Sequence, residues 1–311
     1  MRVDFVKAVE TTLTRDADAL FITGDLGFNA LEAFAAKYGK RFINAGVAEQ
    51  NMIGLAAGLA LIGMRPWVYS IAPFVTLRCL EQIRNDVCLH RLSVRIVGNG
   101  GGYTYGIMGS SHHALEDLAV LKALPNMQLF FPCANDHVAA AVALISELTG
   151  PSYLRLAVSA FNTERAPLSE NPITLTRSYA TRADRSKPGL TVIGAGHGVQ
   201  VALRALASHG LDRENVDVFG IARFPFRLTE DAELMASIFE TKNVIFVEEH
   251  YAAGGMGESL KLALPALCVF SLMSASYRPD QRYGSAAFHM KQDQLTPDAL
   301  VSLVQARLRA A

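Results

Sequence analysis

The sequence predicts an α/β protein made of two three-layer α/β/α domains, each with a mostly parallel sheet. Short apolar runs rich in β-branched residues alternate with helical patterns throughout the chain. These runs are apolar at both odd and even positions, as is typical of strands covered on both faces of a sheet. The length of 311 residues, at about 150 residues per domain, also indicates two domains.

The predicted elements alternate in order along the chain. Strands are predicted at Leu20–Thr23, Trp67–Ile71, Ser93–Gly98, Met127–Phe131, Tyr153–Leu156, Leu190–Ile193, Val216–Ile221, Val244–Val247 and Leu267–Leu272. Helices are predicted at Ala48–Leu61, Leu77–Val87, Asp136–Leu148, Val199–Ala207 and Asp298–Leu308. Thr296 is the expected cap of the last helix, with Pro297 in its first turn.

A polar, proline-containing stretch divides the chain. We predict a first domain at residues 1–165, a linker with room for one strand at 166–188, and a second domain at 189–311. Within the first domain, the helix after Ala48 has almost no polar face, so we expect it to be buried, in part against a partner helix.

Composition excludes several classes of protein. Lys+Arg and Asp+Glu are equal at 29 each, which argues against a nucleic-acid-binding or membrane-surface protein. The absence of a long apolar run and of a secretory signal at Met1–Phe5 predicts a cytoplasmic location. The 4 cysteines lack CxxC spacing and are expected to be reduced, buried thiols.

Candidate functional residues follow the predicted strands, because ligands bind beyond the carboxyl ends of parallel strands. Glu49 begins the apolar helix, where a carboxyl either has a chemical role or only interacts favourably with the helix dipole. After the next strands come the glycine-rich loop Asn99–Gly106 and then His112 and Glu116, which share one face if their segment is helical. The alternative is that His112 and Glu116 are polar residues at the start of a helix and have no catalytic role.

Adjacent carboxylates end a later predicted strand. Glu248 and Glu249 could perform acid–base chemistry, but the sequence favours a solvated strand end that faces another subunit. The glycines between Gly194 and Gly198 do not have the spacing of a dinucleotide-binding loop.

Several of these segments resemble the transketolase family, which includes 1-deoxyxylulose-5-phosphate synthase and the beta chains of 2-oxo-acid dehydrogenases. Arg41–Met52 is similar to the glutamate-bearing segment of that family. The similarity continues through Tyr69–Phe74, Gly109–Asp117 and Leu124–Met127, and resumes at Val247–His250. The resemblance covers nearly the whole chain. It implies the C-terminal half of a transketolase, with 1–165 as the pyrimidine-binding domain and 189–311 as the C-terminal domain.

One expected motif has no counterpart. The family binds Mg²⁺ and the diphosphate of thiamine diphosphate with Gly-Asp-Gly and a later Asn, whereas Thr23–Gly27 has Leu26 in the decisive place. The resemblance therefore implies one subunit of a split transketolase, without metal ligands of its own. A separate N-terminal, diphosphate-binding subunit would carry the Mg²⁺. A homodimer core within a heterotetramer is the assembly that the family suggests.

The resemblance also assigns residues of the cofactor pocket. Glu49 matches the glutamate that donates a proton to N1′ of the aminopyrimidine, so that the imino tautomer can take the C2 proton of the thiazolium. Burial among small apolar side chains would favour the protonated carboxyl. Phe74 matches the aromatic that packs on the pyrimidine. Ile71 and Leu77 are placed in the same pocket, with Leu77 and Leu80 where the family has aromatic residues.

The substrate side is assigned in the same way. His112 matches the family's active-site histidine, with His113 as the alternative one residue along. Met108 stands where transketolase has an aspartate that contacts the donor, and Tyr105 is a further candidate substrate contact. No arginine matches the phosphate-binding positions of transketolase, near Asn29–Glu32 and Val158–Ser159, which Arg78, Arg155 or a partner subunit would have to replace.

The implied activity is thiamine-diphosphate-dependent transfer of a two-carbon ketol unit from a ketose to an aldehyde, in the presence of the partner subunit. Two alternatives stay open at the level of the sequence. One is the beta subunit of a 2-oxo-acid dehydrogenase or of an acyloin-forming or acetyl-transferring enzyme. The other is a non-catalytic scaffold or regulatory subunit.

Overall fold

Two mostly parallel sheets with flanking helices make up the chain, as predicted. In the computed structural model the described residues are 1–26, 31–158, 165–187, 189–279 and 282–310. The strands are β1 (Ala19–Thr23), β2 (Phe42–Asn44), β3 (Arg65–Ile71), β4 (Arg95–Gly101), β5 (Gln128–Phe130), β6 (Ser152–Ala157), β7 (Ser169–Asn171), β8 (Thr176–Ala180), β9 (Leu190–Ala195), β10 (Val216–Ile221), β11 (Arg223–Phe224), β12 (Asn243–Tyr251) and β13 (Val269–Ala275). Each predicted strand is present, with ends shifted by a few residues.

The helices agree with the prediction in the same way. They are α1 (Arg2–Arg15), α2 (Glu32–Tyr38), α3 (Glu49–Leu61), α4 (Ala72–Thr76), α5 (Leu80–Gln82), α6 (Asp117–Lys122), α7 (His137–Glu147), α8 (Val199–Ser208), α9 (Ala232–Thr241), α10 (Met256–Ala263), α11 (Ala286–Gln292) and α12 (Pro297–Arg309). The hydroxyl of Thr296 accepts the Ala299 N–H, which confirms the predicted cap. The predicted helix at Leu77–Val87 is instead the short α5 followed by the π-helical turn Ile83–Cys88.

The strand order shows that the second half of the chain contributes a strand to the first sheet. The first sheet has the order β11-β5-β6-β4-β3-β1-β2 and the second β13-β12-β9-β10-β8-β7. All pairs in the first sheet are parallel except β11, which comes from the second half of the chain and runs antiparallel to β5. The two domains therefore share a sheet edge.

The segment 166–188, predicted as a linker with room for one strand, contains two strands. β7 and β8 lie in this segment and pair antiparallel with each other, and β8 also pairs with β10, so both belong to the second sheet. The polar composition of β7 and β8 lacks the apolar run by which a sequence predicts a strand. Arg177 of β8 is buried because its guanidinium binds the carboxylates of Asp136 and Glu170, at 2.9 and 2.6 Å.

The core lies on both faces of the sheets, because successive side chains of a strand point to opposite faces. In the first sheet Phe21 and Trp67 pack with the buried face of α1, whereas Ile22 and Val68 pack with α3. Burying a side chain of this size contributes about 1.5–3 kcal/mol. In the described residues, no helix is long and apolar enough to cross a bilayer.

Helix α3 is buried on one side only. Met52, Ile53, Ala56 and Ala57 lie in the core, but Leu55 and Leu61 are exposed in the single chain. The complete burial expected from its composition is therefore not achieved within this chain. Among the cysteines, Cys79, Cys88 and Cys133 are buried free thiols and Cys268 is half-buried.

Candidate active site

Glu49 is buried at the carboxyl ends of the neighbouring strands β1 and β3 of the first sheet. It is the first residue of α3 and its exposed fraction is 2%. The Ser70 hydroxyl, near the end of β3, lies 3.4 Å from Glu49 Oε1. A Cβ on Gly24, just after β1, would lie 3.7 Å from Glu49 Cγ, so the chain passes close to the acid there. The carboxyl thus lies at strand ends, where parallel α/β folds bind ligands.

The pocket around Glu49 is more polar than the sequence indicated. Arg78 Nη1 donates a hydrogen bond to Glu49 Oε2 at 2.7 Å. The expectation of an acid surrounded only by small apolar side chains is therefore corrected, because an arginine side chain lies against this carboxyl.

Phe74 lies next to this ion pair. It follows β3 on the short helix α4 and is half-buried. The Arg78 guanidinium lies 4.7 Å from the centroid of its ring, a cation–π distance. The His112 ring also contacts the Phe74 ring, in an edge-to-face arrangement with centroids 5.0 Å apart. Glu49, Arg78, Phe74 and His112 thus form one continuous row of contacts, which we call the Glu49 row.

The two adjacent histidines face different surroundings. His112 is half-buried in the 3₁₀ turn Ser110–His112, and its Nδ1 lies 3.0 Å from the Ser111 hydroxyl. His113 is buried between the domains, where its ring contacts those of Tyr103 and His289. Burial lowers the pKa of His113, which favours the neutral imidazole. Of the pair, His112 is therefore the one that belongs to the Glu49 row.

Glu116 does not share a helix face with His112. It precedes α6, while His112 lies in a separate turn, and the Glu116 carboxylate accepts the Leu115 N–H at 3.2 Å. The hydroxyl next to the His112 ring is that of Ser111, a neighbour the sequence did not single out.

The glycine-rich loop brings Tyr105 to the site. Gly100 has a left-handed backbone, φ 90°, and a Cβ there would meet the Tyr105 ring at 2.1 Å, so only glycine fits. Tyr105 accepts a hydrogen bond from the Asn99 amide and its ring centroid is 6.3 Å from that of His112.

The remaining predicted pocket residues lie around the Glu49 row. Ile71 ends β3 and is half-buried, immediately before the helix that carries Phe74. Leu77 and Met108 are exposed. The contacts of Leu77, Met108 and Ile71 with a cofactor or substrate stay predictions.

The prediction of a solvated strand end at Glu248 and Glu249 was wrong. Both are buried in β12. Glu248 accepts the N–H groups of Met256 and Gly257 at 2.8 and 3.1 Å, at the start of α10, and Glu249 accepts the Tyr103 N–H of the other domain at 2.7 Å. Burial raises the pKa of each carboxyl to about 7. Their contacts hold backbone groups in place between the elements.

Arg155 is also unavailable as a phosphate ligand. It is buried, its Nε lies 3.2 Å from Asp117 Oδ2, and its Nη2 binds the carbonyl oxygens of Ala114 and Glu249. Of the predicted phosphate-binding positions, Asn29 and Ser159 lie outside the described residues. Across the described part of the chain, no three His, Cys, Asp or Glu side chains are grouped as a metal site requires.

The contacts of Arg78 differ most from what the sequence indicates. The sequence predicts this residue only as a substitute for a phosphate ligand. The available signal was its position four residues after Phe74, which places both side chains on one side of a helical segment.

Two parallel-sheet domains, with a buried acid, an aromatic ring and a histidine at the strand ends of the first, define the C-terminal half of a transketolase-type protein. The family model for the transketolase pyrimidine binding domain matches residues 1–163. The chain belongs to the transketolase family.

Named relatives agree with this membership. A putative transketolase C-terminal section of Methanocaldococcus jannaschii is 34% identical over 82% of this chain and 76% of its own length. One of the subunits of an apulose-4-phosphate transketolase of Phocaeicola vulgatus is 30% identical over 82% of this chain and 80% of its own length. A solved structure described as a split gene transketolase, inactive beta4 tetramer, is 27% identical, with a TM-score of 0.83 over 99% of this chain and 98% of that one.

Proposed function

We propose that this chain is the C-terminal subunit of a split, thiamine-diphosphate-dependent transketolase. It transfers a two-carbon ketol unit from a ketose to an aldehyde acceptor, together with a separate diphosphate-binding subunit. The observation that carries the proposal is the Glu49 row, in which a buried acid, an aromatic ring and a histidine follow one another at the strand ends of a transketolase-family fold.

The pocket fits the flat, polar ring that the cofactor would place there. A planar hydrogen-bonding group, the Arg78 guanidinium, is already accommodated between the Glu49 carboxyl and the Phe74 ring. When bound, thiamine diphosphate supplies the nucleophilic carbon of the reaction. The Glu49 carboxyl holds the proton at ring nitrogen N1′, and Phe74 orients the ring by packing on it.

His112 serves the substrate side. Its ring lies against Phe74, and the Ser111 hydroxyl at 3.0 Å from Nδ1 orients it. It would bind the hydroxyl groups of the ketose and stabilise negative charge on the substrate oxygen as it develops. The Tyr105 ring lies 6.3 Å from that of His112, and Tyr105 and Met108 contribute to substrate choice.

The diphosphate and its Mg²⁺ are assigned to the partner subunit. Gly24-Asp25-Leu26 lacks the final glycine of the metal-binding motif, and the relatives named above are described as a C-terminal section and as one subunit of a transketolase. The exposed apolar side of α3, with Leu55 and Leu61, supports a contact between two copies of this chain. A heterotetramer with a homodimer of this chain at its centre is the assembly we propose.

Substitution of Glu49 tests the function. The chain is co-expressed with its diphosphate-binding partner, supplied with thiamine diphosphate and Mg²⁺, and offered ketose donors and aldehyde acceptors, with products identified by mass spectrometry. Glu49→Gln should lower turnover by about a hundredfold or more, because the proton at N1′ is no longer controlled. The matched control is Glu81→Gln, which changes an exposed acid nearby.

The same screen separates the alternatives. Ketol transfer without release of CO₂ supports the transketolase, whereas decarboxylation of a 2-oxo acid would assign the chain to the dehydrogenase beta subunits. Turnover of Glu49→Gln equal to that of the parent, at saturating cofactor and partner, would remove the role assigned to the acid. The circular-dichroism spectrum of each variant should remain that of the parent chain.

A further inference from the structure

Arg78 makes the contacts that the proposed function assigns to the pyrimidine ring of the cofactor. Its guanidinium donates to the Glu49 carboxylate at 2.7 Å and lies 4.7 Å from the centroid of Phe74. A guanidinium is planar, carries N–H donors in its plane and stacks on aromatic faces. In these respects it resembles a protonated aminopyrimidine. One planar cation therefore occupies the space between the acid and the ring.

We propose that Arg78 is a placeholder, which fills the pyrimidine site in the cofactor-free chain and swings out when thiamine diphosphate binds. This proposal rests on the proposed function. It concerns a competition within this chain, between its own side chain and the cofactor, for the Glu49 carboxylate and the Phe74 ring.

The burial of the two partners explains why a placeholder is needed. Glu49 is only 2% exposed, and a buried carboxylate without a partner is costly. Ser70 offers a single hydroxyl at 3.4 Å, a long hydrogen bond. Arg78 supplies the missing counter-charge until the cofactor ring takes over the carboxylate. The ion pair therefore satisfies the buried carboxylate until the cofactor binds.

The exposure of Arg78 explains why it can leave. Its side chain is 44% exposed, so an outward rotation brings the guanidinium into water without disturbing the core. The next residue, Cys79, is buried and anchors the backbone there. The swing therefore requires only rotation about side-chain bonds, which is fast compared with loop or domain movement.

The competition between Arg78 and the cofactor should change the dissociation constant of the cofactor by a measurable factor. A half-exposed ion pair and a cation–π contact together keep the guanidinium inward in about nine of ten molecules. The apparent dissociation constant of a ligand that needs the open state is then about tenfold higher than the intrinsic one. Removing the guanidinium should remove this factor.

The test measures cofactor binding and not turnover. Thiamine diphosphate with Mg²⁺ is titrated calorimetrically into the complex of the full chain with its partner subunit. Arg78→Gln should lower the dissociation constant about tenfold. Arg84→Gln, which changes an exposed arginine six residues further along, should leave it unchanged. In a Glu49→Gln background the effect of Arg78→Gln should shrink to about twofold, since the charge that holds the guanidinium is gone.

Each outcome decides between the proposals. If the parent complex binds the cofactor and Arg78→Gln binds it equally or more weakly, Arg78 is not a placeholder, and the proposed function stands. If the parent complex does not bind thiamine diphosphate at all, the proposed function fails and the placeholder with it. If Arg84→Gln tightens binding as much as Arg78→Gln, the effect comes from surface charge and the placeholder is refuted.

Discussion

Glu249 connects the two domains, and its titration should be visible in the stability of the chain. The side chain belongs to β12 of the second sheet and accepts the Tyr103 N–H of the first domain at 2.7 Å. Burial raises its pKa from 4.5 to about 7. Glu249→Gln keeps an oxygen that can accept the same N–H but cannot ionise. The substitution therefore removes the charge and leaves the shape.

The size of the effect follows from the shift in pKa. Each unit is worth 1.36 kcal/mol, so a rise from 4.5 to about 7 corresponds to about 3 kcal/mol. The folded chain binds this proton more tightly than the unfolded chain does. The stabilisation is therefore complete below about pH 4.5 and is lost as the pH rises through about 7. The glutamine variant has no such loss.

Unfolding by urea, followed by circular dichroism at a series of pH values, measures this directly. The free energy of unfolding of Glu249→Gln minus that of the parent should rise by about 3 kcal/mol between about pH 4.5 and about pH 8. Glu81→Gln, which changes an exposed acid, should show a constant difference. A constant difference for Glu249→Gln as well would mean that the pKa of this carboxyl is the same in the folded and the unfolded chain.

Further predictions concern the residues of the Glu49 row. Phe74→Leu should raise the dissociation constant of thiamine diphosphate by about two- to tenfold in calorimetry, because the ring packing is lost; unchanged affinity would exclude packing on the cofactor. His112→Asn should lower turnover about a hundredfold in the ketose assay while the melting temperature is retained. His113→Asn should lower the melting temperature instead, because its ring is packed between Tyr103 and His289; the reverse result would exchange the two roles.

The apolar strands were predictable because their signal is local. Runs such as Val216–Ile221 are recognised from their own residues and appear in the structure with the same bounds. The predicted linker left room for one strand, whereas it contains two. β8 is buried because distant partners bind its polar side chains, and β7 is the more exposed strand that pairs with it. The Arg177 guanidinium of β8, for example, binds Asp136, 41 residues earlier in the chain. A polar strand of this kind has no local signature.

For the site, too, positions set by local sequence were predictable and those set by distant contacts were not. Glu49 could be located at a strand end, and the structure places it there. Glu248 and Glu249 were expected in solvent because charged side chains are usually exposed. Their burial depends on backbone N–H groups, one of which belongs to Tyr103, 146 residues away. No sequence pattern around Glu248 and Glu249 indicates that distant backbone N–H groups donate hydrogen bonds to them.

By itself, the sequence determined the order of strands and helices, the resemblance to the transketolase family and the acid at the end of a parallel strand. These depend on hydrophobic periodicity and on motifs, which are properties of short segments. Only the tertiary structure decided that Arg78 bridges Glu49 and Phe74, that His112 and not His113 faces them, and that β11 joins the first sheet. Burial, ion pairing and ring contacts depend on distances through space, and packing of the whole chain sets those distances.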